Sequence, residues 1–200
     1  MLNNYLKYLK LISKQFRKEK KIFDIVAYGS SVRNKENPND LDIVIICTSS
    51  SFNDRLSLAQ EFKERIKSKI KNPDVKAINL TELFDKNFLA RQGILVDGYS
   101  LFDSIFISKK LGFNGYSLFT YNLKKLDHNK KTQFTYSLIG RRKEGILKLI
   151  NAVYLGKGVI AIPSENSSIF EDFLKKWNVD YKEKKILIAE KWYKKIKLNW

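Results

Sequence analysis

Asp40 and Asp42 are separated only by Leu41, and Leu41 opens an apolar run, LDIVIIC, rich in β-branched side chains. On a strand, residues i and i+2 project to the same face. The two carboxylates therefore stand side by side while Leu41 points into the core. Like charges held that close are costly unless a cation lies between them. Mg²⁺ takes oxygen ligands, commonly one or two carboxylates together with substrate phosphates. The pair is thus suited to hold a divalent metal and, with it, a triphosphate. Nine residues separate it from Gly29-Ser30, which ends a second apolar run, IFDIVAY. Glycine after a strand lets the backbone turn sharply and approach a ligand closely. Backbone N–H groups at such a turn, leading into a helix start, cradle phosphate oxygens. The Ser30 hydroxyl and the Arg33 guanidinium stand near enough in sequence to serve the same phosphates.

Taken together, the stretch AYGSSVRNKENPNDLDIVII resembles the signature of the nucleotidyltransferase superfamily that includes DNA polymerase beta, the kanamycin nucleotidyltransferases and the minimal nucleotidyltransferases of bacteria and archaea. The resemblance covers about residues 22–102. It implies a two-metal transfer, with two Mg²⁺ ions (Mn²⁺ as the alternative) held by Asp40, Asp42 and a third acidic residue. An acceptor hydroxyl then attacks the α-phosphate of a nucleoside triphosphate in line, and pyrophosphate leaves. Gly29, Ser30 and Arg33 would bind the nucleotide. The third carboxylate belongs on the third core strand, read as VKAINL at residues 75–80, which holds neither Asp nor Glu. Asp74 precedes it and by alternation shares the face of Lys76, Ile78 and Leu80. It fills the role if the strand starts early. Otherwise Lys76 or Asn79 takes that place and the second metal site is impaired.

The elements that must position these groups follow from periodicity. Residues 2–21 have helical spacing at Tyr5, Leu9, Ile12 and Phe16. Strands are expected over 22–28, 41–47 and 75–80, and a helix over 52–71, ended by Asn72-Pro73. Weaker signals suggest a helix within 83–94, a strand at 98–102 and a helix near 103–111. Gly112 to Gly115 is turn-rich and marks a domain boundary. Beyond it, strands are expected at 116–123 and 159–162, and helices at 131–138 and 165–177, the last capped by Ser164; residues 185–189 form a further apolar run. The fold class is α/β (α+β). A nucleotidyltransferase domain with a small mixed sheet spans 1–111, and a smaller basic α+β domain, expected to bind the acceptor, spans 112–200.

Thirty-eight Lys and Arg against 21 Asp and Glu give a net charge of +17 over 200 residues, which points to a polyanionic partner, most simply RNA or DNA. The excess runs through the chain: residues 1–110 hold 20 basic and 13 acidic side chains, and residues 111–200 hold 18 and 8. Arg141, Arg142 and Lys143, between Gly140 and Gly145, form a basic loop able to clamp a nucleic-acid backbone or simply a solvated turn. Tyr116, Phe119, Tyr121, Phe134 and Tyr136 alternate with lysines and could stack on bases, although core packing is the simpler role. Trp177, Trp192 and Trp200 read as packing residues. His128, the single histidine, reads as a solvated surface residue. Cys47, the single cysteine, reads as a buried apolar residue of a reducing compartment. No apolar run is long enough to span a bilayer, and the N-terminus lacks a signal-peptide pattern, so a cytoplasmic protein without a membrane partner is expected. Two alternatives remain open: the same chemistry on a protein or small-molecule acceptor, with a protein partner, and a nucleic-acid-binding protein that has lost transfer. Nothing in the short motif encodes which nucleotide is chosen.

Overall fold

The apolar runs on either side of Gly29-Ser30 pair with each other in the computed structural model, which describes residues 4–32 and 41–190. Strand β1 (Ile22–Tyr28) runs antiparallel to β2 (Leu41–Cys47), with Ala27 opposite Ile43 and Tyr28 opposite Asp42. Strand β3 (Pro73–Asn79) lies parallel to β2, and the two-residue β4 (Tyr99–Ser100) lies antiparallel to β1. The sheet order is β3-β2-β1-β4, a small mixed sheet as expected. It belongs to the first of two compact units, Met1–Leu111 and Gly112–Trp200.

The inner strands are apolar on both faces because both faces are covered. On one side Ile25, Ala27, Ile43 and Ile45 pack under α1 (Asn4–Phe16) and α2 (Phe52–Ile66), which contribute Leu9, Phe16, Phe62 and Ile66. On the other side Val26, Tyr28, Val44 and Ile46 meet Leu83, Ile94 of α3 (Arg91–Asp97) and Ile107 of α4 (Ile107–Lys110). Helix α2 begins where the Ser51 hydroxyl accepts from the Asp54 backbone N–H at 3.2 Å. It ends at Ile66 rather than at residue 71, and Asn72 takes a positive φ of 47° before Pro73 opens β3. The expected helix over 83–94 is instead a short 3-10 turn (Glu82–Phe84) followed by α3.

One polar knot is buried in this unit. Asp24, on β1, is fully buried, and its carboxylate accepts from the Ile25 N–H, the Ser100 hydroxyl and the Lys110 ammonium at 2.8–2.9 Å. Lys110 also pairs with Asp103 at 2.7 Å, and Arg17 pairs with Asp103 at 2.9 Å. Removing one partner of a buried pair leaves an uncompensated charge. Lys110→Met is therefore expected to destabilise the protein by about 3 kcal/mol, toward the low end for such pairs because water reaches the ammonium. Urea unfolding checks it. The Lys110 hydrogen bond, with help from Arg17, holds the Asp103 carboxyl below its ordinary pKa. A depressed folded-state pKa stabilises above the unfolded value and is lost as pH falls through the folded one. Wild type should thus lose stability below about pH 4, and the Lys110→Met variant should lose less of it over that range.

The second unit is an antiparallel sheet of order β6-β7-β5-β8, built from β5 (Phe113–Tyr121), β6 (Val153–Gly156), β7 (Val159–Pro163) and β8 (Tyr181–Ala189). Three helices accompany it: α5 (His128–Ile139), α6 (Ile146–Leu149) and α7 (Ser167–Lys176). Phe119, Phe134, Phe170 and Leu174 form its core, with Phe173 and Trp177 packed against them. Three expectations are corrected here. Residues 113–115 are strand, since β8 pairs along all of β5. Ser164 caps no helix: it is buried at the start of a 3-10 turn, and α7 begins at Ser167. Strand β6 was absent from the sequence reading because four residues carry too little alternation. Trp192 and Trp200 lie outside the described residues. Among the described residues, no helix is long and apolar enough to cross a membrane.

Candidate active site

The sheet of the first unit carries its polar groups at one end of one face. Along that face, β2 presents Ile46, Val44 and then Asp42, while β3 presents Ile78, Lys76 and then Asp74. Registration pairs these residues one to one: Ile46 with Ile78, Val44 with Lys76, Asp42 with Asp74. On the other side of β2, Tyr28 is the partner of Asp42. Tyr28, Asp42 and Asp74 thus form a row across three adjacent strands, each about 4.8 Å from the next. The row sits where the apolar face runs out: Tyr28 is buried, Asp42 half-buried and Asp74 exposed.

Asp74 is therefore inside the third strand, which starts at Pro73 rather than at residue 75. Proline at the first position of an edge strand costs no ladder hydrogen bond. Of the two other candidates for this place, Asn79 is excluded by geometry. It lies at the opposite end of β3, where its amide accepts from the Ser50 N–H and donates to the Ser50 carbonyl at 3.1–3.2 Å. Lys76 does approach the site, and its ammonium lies 2.8 Å from Asp74 Oδ2.

Gly29 explains why the motif needs glycine. It follows β1 with φ of +78°, a conformation that side chains resist. A Cβ placed on it would lie 2.6 Å from Asp42 Oδ2, well inside contact distance. The backbone turn and the carboxylate lie close together, so a side chain at position 29 would force the Asp42 carboxylate to move. The turn continues as a 3-10 segment (Gly29–Val32) in which Ser30 is half-exposed and Val32 is buried.

Electrostatics mark the cluster independently. The Tyr28 hydroxyl is held above its ordinary pKa first by burial, then by the negative charge of Asp42, with Asp74 adding to it and Lys76 opposing. The Lys76 ammonium is held above its ordinary value by its hydrogen bond to Asp74, with smaller support from Tyr28 and Asp42. One phenol thus feels both carboxylates. Tyr28 was missed in the sequence reading, because the spacer between the strands does not reveal which residue stands opposite Asp42.

Asp40 and Arg33 lie outside the described residues. Gly29, Ser30, Asp42 and Asp74 come together at the sheet end. Arg141, Arg142 and Lys143 belong to the second unit, exposed in a turn closed by the Gly140–Glu144 bridge. The Arg141 guanidinium stacks over the Tyr136 ring, 4.8 Å from its centroid. Tyr116, Phe119 and Phe134 are buried core residues, which leaves Tyr121 and Tyr136 as the partly accessible members of that aromatic set. His128 is exposed, as expected. Cys47 is buried in the first core, and burial raises its thiol pKa.

The donor set suits a hard divalent cation: two carboxylates in register, one of them crowded against backbone, at an accessible sheet end. Among the described residues, no three acidic, His or Cys side chains gather into a ready-made cage. A cation there would rest on Asp42 and Asp74, with Asp40 the expected third ligand. Asp74→Asn is expected to weaken metal-supported nucleotide binding on the order of tenfold. Its exposure and its partner Lys76 would make it the lesser of the two candidate ligands. A Mg²⁺ titration of nucleotide binding checks this.

Residues 10–98 match the family described as Polymerase beta, Nucleotidyltransferase. No curated protein matches the chain. Among solved structures, the complex of tri-AMPylated Shewanella oneidensis HEPN toxin with MNT antitoxin is similar at 18% identity, covering 53% of this chain and 83% of the other, with a TM-score of 0.35.

Proposed function

We propose that this chain, whose residues 10–98 match the family described as Polymerase beta, Nucleotidyltransferase, transfers a nucleoside monophosphate from a nucleoside triphosphate to the end of a nucleic acid, releasing pyrophosphate. The observation that carries this reading is the row of Asp42 and Asp74 in register, with the Asp42 carboxylate against Gly29. Mg²⁺ or Mn²⁺ bound there would neutralise the triphosphate and lower the pKa of the acceptor hydroxyl. The chain's own residues would do the rest. Asp40, Asp42 and Asp74 would hold the cation, with Asp42 close beside the Gly29 turn. The backbone N–H groups of the turn from Gly29 to Val32 would bind the phosphates, helped by the Ser30 hydroxyl and Arg33. The charge of +17 supports a polyanionic acceptor.

A second reading has one observation in its favour. Lys76 already pairs with Asp74, so this carboxylate is neutralised without a metal ion, as a nucleic-acid-binding protein that has lost transfer would allow. Calorimetric titration with non-hydrolysable ATP, GTP, CTP and UTP analogues separates the two. The enzyme reading expects Mg²⁺-dependent binding of at least one nucleotide. No binding at millimolar concentration sinks it in favour of the second reading. Incubation with α-labelled nucleotides then reports the acceptor: label on an oligonucleotide supports the proposal, and label confined to protein redirects it to a protein acceptor.

A further inference from the structure

The second unit contains a cavity of about 1290 Å³ walled by α5, α6, β6 and the end of β5. It exceeds the roughly 300–1,000 Å³ of a site for one small molecule, so its size suits a short segment of chain. Its floor is apolar, with Phe134, Leu138 and Leu147 beneath it. Two phenols, Tyr121 and Tyr154, stand on its wall. They are close to each other: Tyr121 is pushed up to about 12 by burial and by its neighbour Tyr154. Lys124, Lys131, Lys148 and Lys157 line the same cavity, all exposed, and no carboxylate is among its lining residues. Glu144 offsets only Lys148, with which it pairs. The turn bearing Arg141, Arg142 and Lys143 joins α5 to α6, two of the walls.

Partly accessible aromatic side chains beside an apolar floor, ringed by lysines, match what an unpaired nucleic-acid strand offers: bases to stack or pack and phosphates to pair with cations. An acidic peptide would use the lysines but leave the phenol pair without a matching surface. A duplex would present its phosphates outward and bring no free base into the cleft. We propose that this cavity binds the unpaired end of a nucleic-acid strand, the acceptor strand of the proposed transfer. The acceptor role rests on the nucleotidyltransferase reading, whereas strand binding by itself does not.

Anisotropy of a short fluorescein-labelled single-stranded RNA and of its DNA counterpart, titrated with the full chain, tests it. The variant Lys124→Gln/Lys131→Gln/Lys157→Gln changes only exposed side chains. It is expected to weaken binding at least tenfold at low salt and to reduce the slope of log affinity against log salt by about 2, since each phosphate contact on a single strand contributes about 0.7. Tyr154→Leu should weaken binding about tenfold with the salt slope unchanged, because stacking carries no counterion release. The control Lys176→Gln/Lys182→Gln/Lys184→Gln alters the same charge on exposed positions away from the cavity and should have a small effect. Equal weakening by both triple variants overturns the proposal, as does stronger binding of a blunt duplex or of a poly-glutamate peptide. Asp42→Asn separates the two readings. If it and the wild type both bind the strand but neither binds nucleotide, the transfer reading fails and the cavity stands. If nucleotide binds and no strand does, the cavity fails alone.

Discussion

Asp42→Asn is expected to abolish Mg²⁺-dependent nucleotide binding and to lower transfer by about a thousandfold, with the chain still folded. The magnitude follows from the role proposed for Asp42. A divalent ion supplies several kcal/mol of transition-state charge stabilisation, and about 4 kcal/mol is a thousandfold in rate. Asparagine keeps the size and one oxygen but loses the charge that brings the ion. The fold should tolerate it, because Asp42 is half-buried at the end of β2 rather than in the core and asparagine is its isostere. Unfolding without ligand should therefore shift little. The contrast appears on adding Mg²⁺ and nucleotide. At a hundredfold excess over Kd, wild type gains about 2.7 kcal/mol, and the variant gains none. Thermal melts with and without Mg²⁺-nucleotide read this directly. Equal stabilisation of both proteins would remove Asp42 from the nucleotide site.

The contrast between Asp42 and Asp74 also defines what could be read from sequence. Asp42 was legible because its strand announces itself: five apolar, mostly β-branched residues (IVIIC) follow the Asp-x-Asp pair. The matching run before Gly29 was equally plain, and both strands occupy the residues their apolar runs suggested. Asp74 was legible only as an alternative. Its place depends on a strand that opens at Pro73, and proline ordinarily argues against strand. The parallel pairing to β2 overrides that local signal, since Leu41 pairs with Pro73 and carries the ladder back to the motif. Registration across strands is a tertiary property, which is also why Tyr28 escaped notice. Ser164 failed for the opposite reason. Pro-Ser before a helical run is a sound local signal, yet the chain first makes a 3-10 turn that buries the serine. In the second unit, alternation of aromatics with lysines could not separate core from surface. Phe119 and Phe134 went to the core while Tyr121 reached the cavity wall. A concavity arises from how helices lie on a sheet, and no short window of sequence encodes it.

Gly29→Ala should reduce transfer nearly as far as Asp42→Asn but, unlike it, should also destabilise the fold. Two separable effects contribute. The backbone at φ of +78° resists any L side chain, at a cost of about 1–2 kcal/mol. The added methyl then meets Asp42 Oδ2 at 2.6 Å, and either the carboxylate rotates away or the strands separate. Rotation removes the proposed metal ligand from its place, so activity falls even where the fold survives. The two effects come apart in a double-mutant cycle. In an Asp42→Ala background the methyl has no carboxylate to meet, and Gly29→Ala should cost only the backbone share. Coupling of about 1 kcal/mol or more between the two positions is expected for residues in contact, measured by urea unfolding of the four proteins. Additive costs would mean that the turn and the carboxylate do not press on each other. The requirement for glycine would then lie in the backbone alone, and Asp42 would owe its orientation to the strand rather than to Gly29.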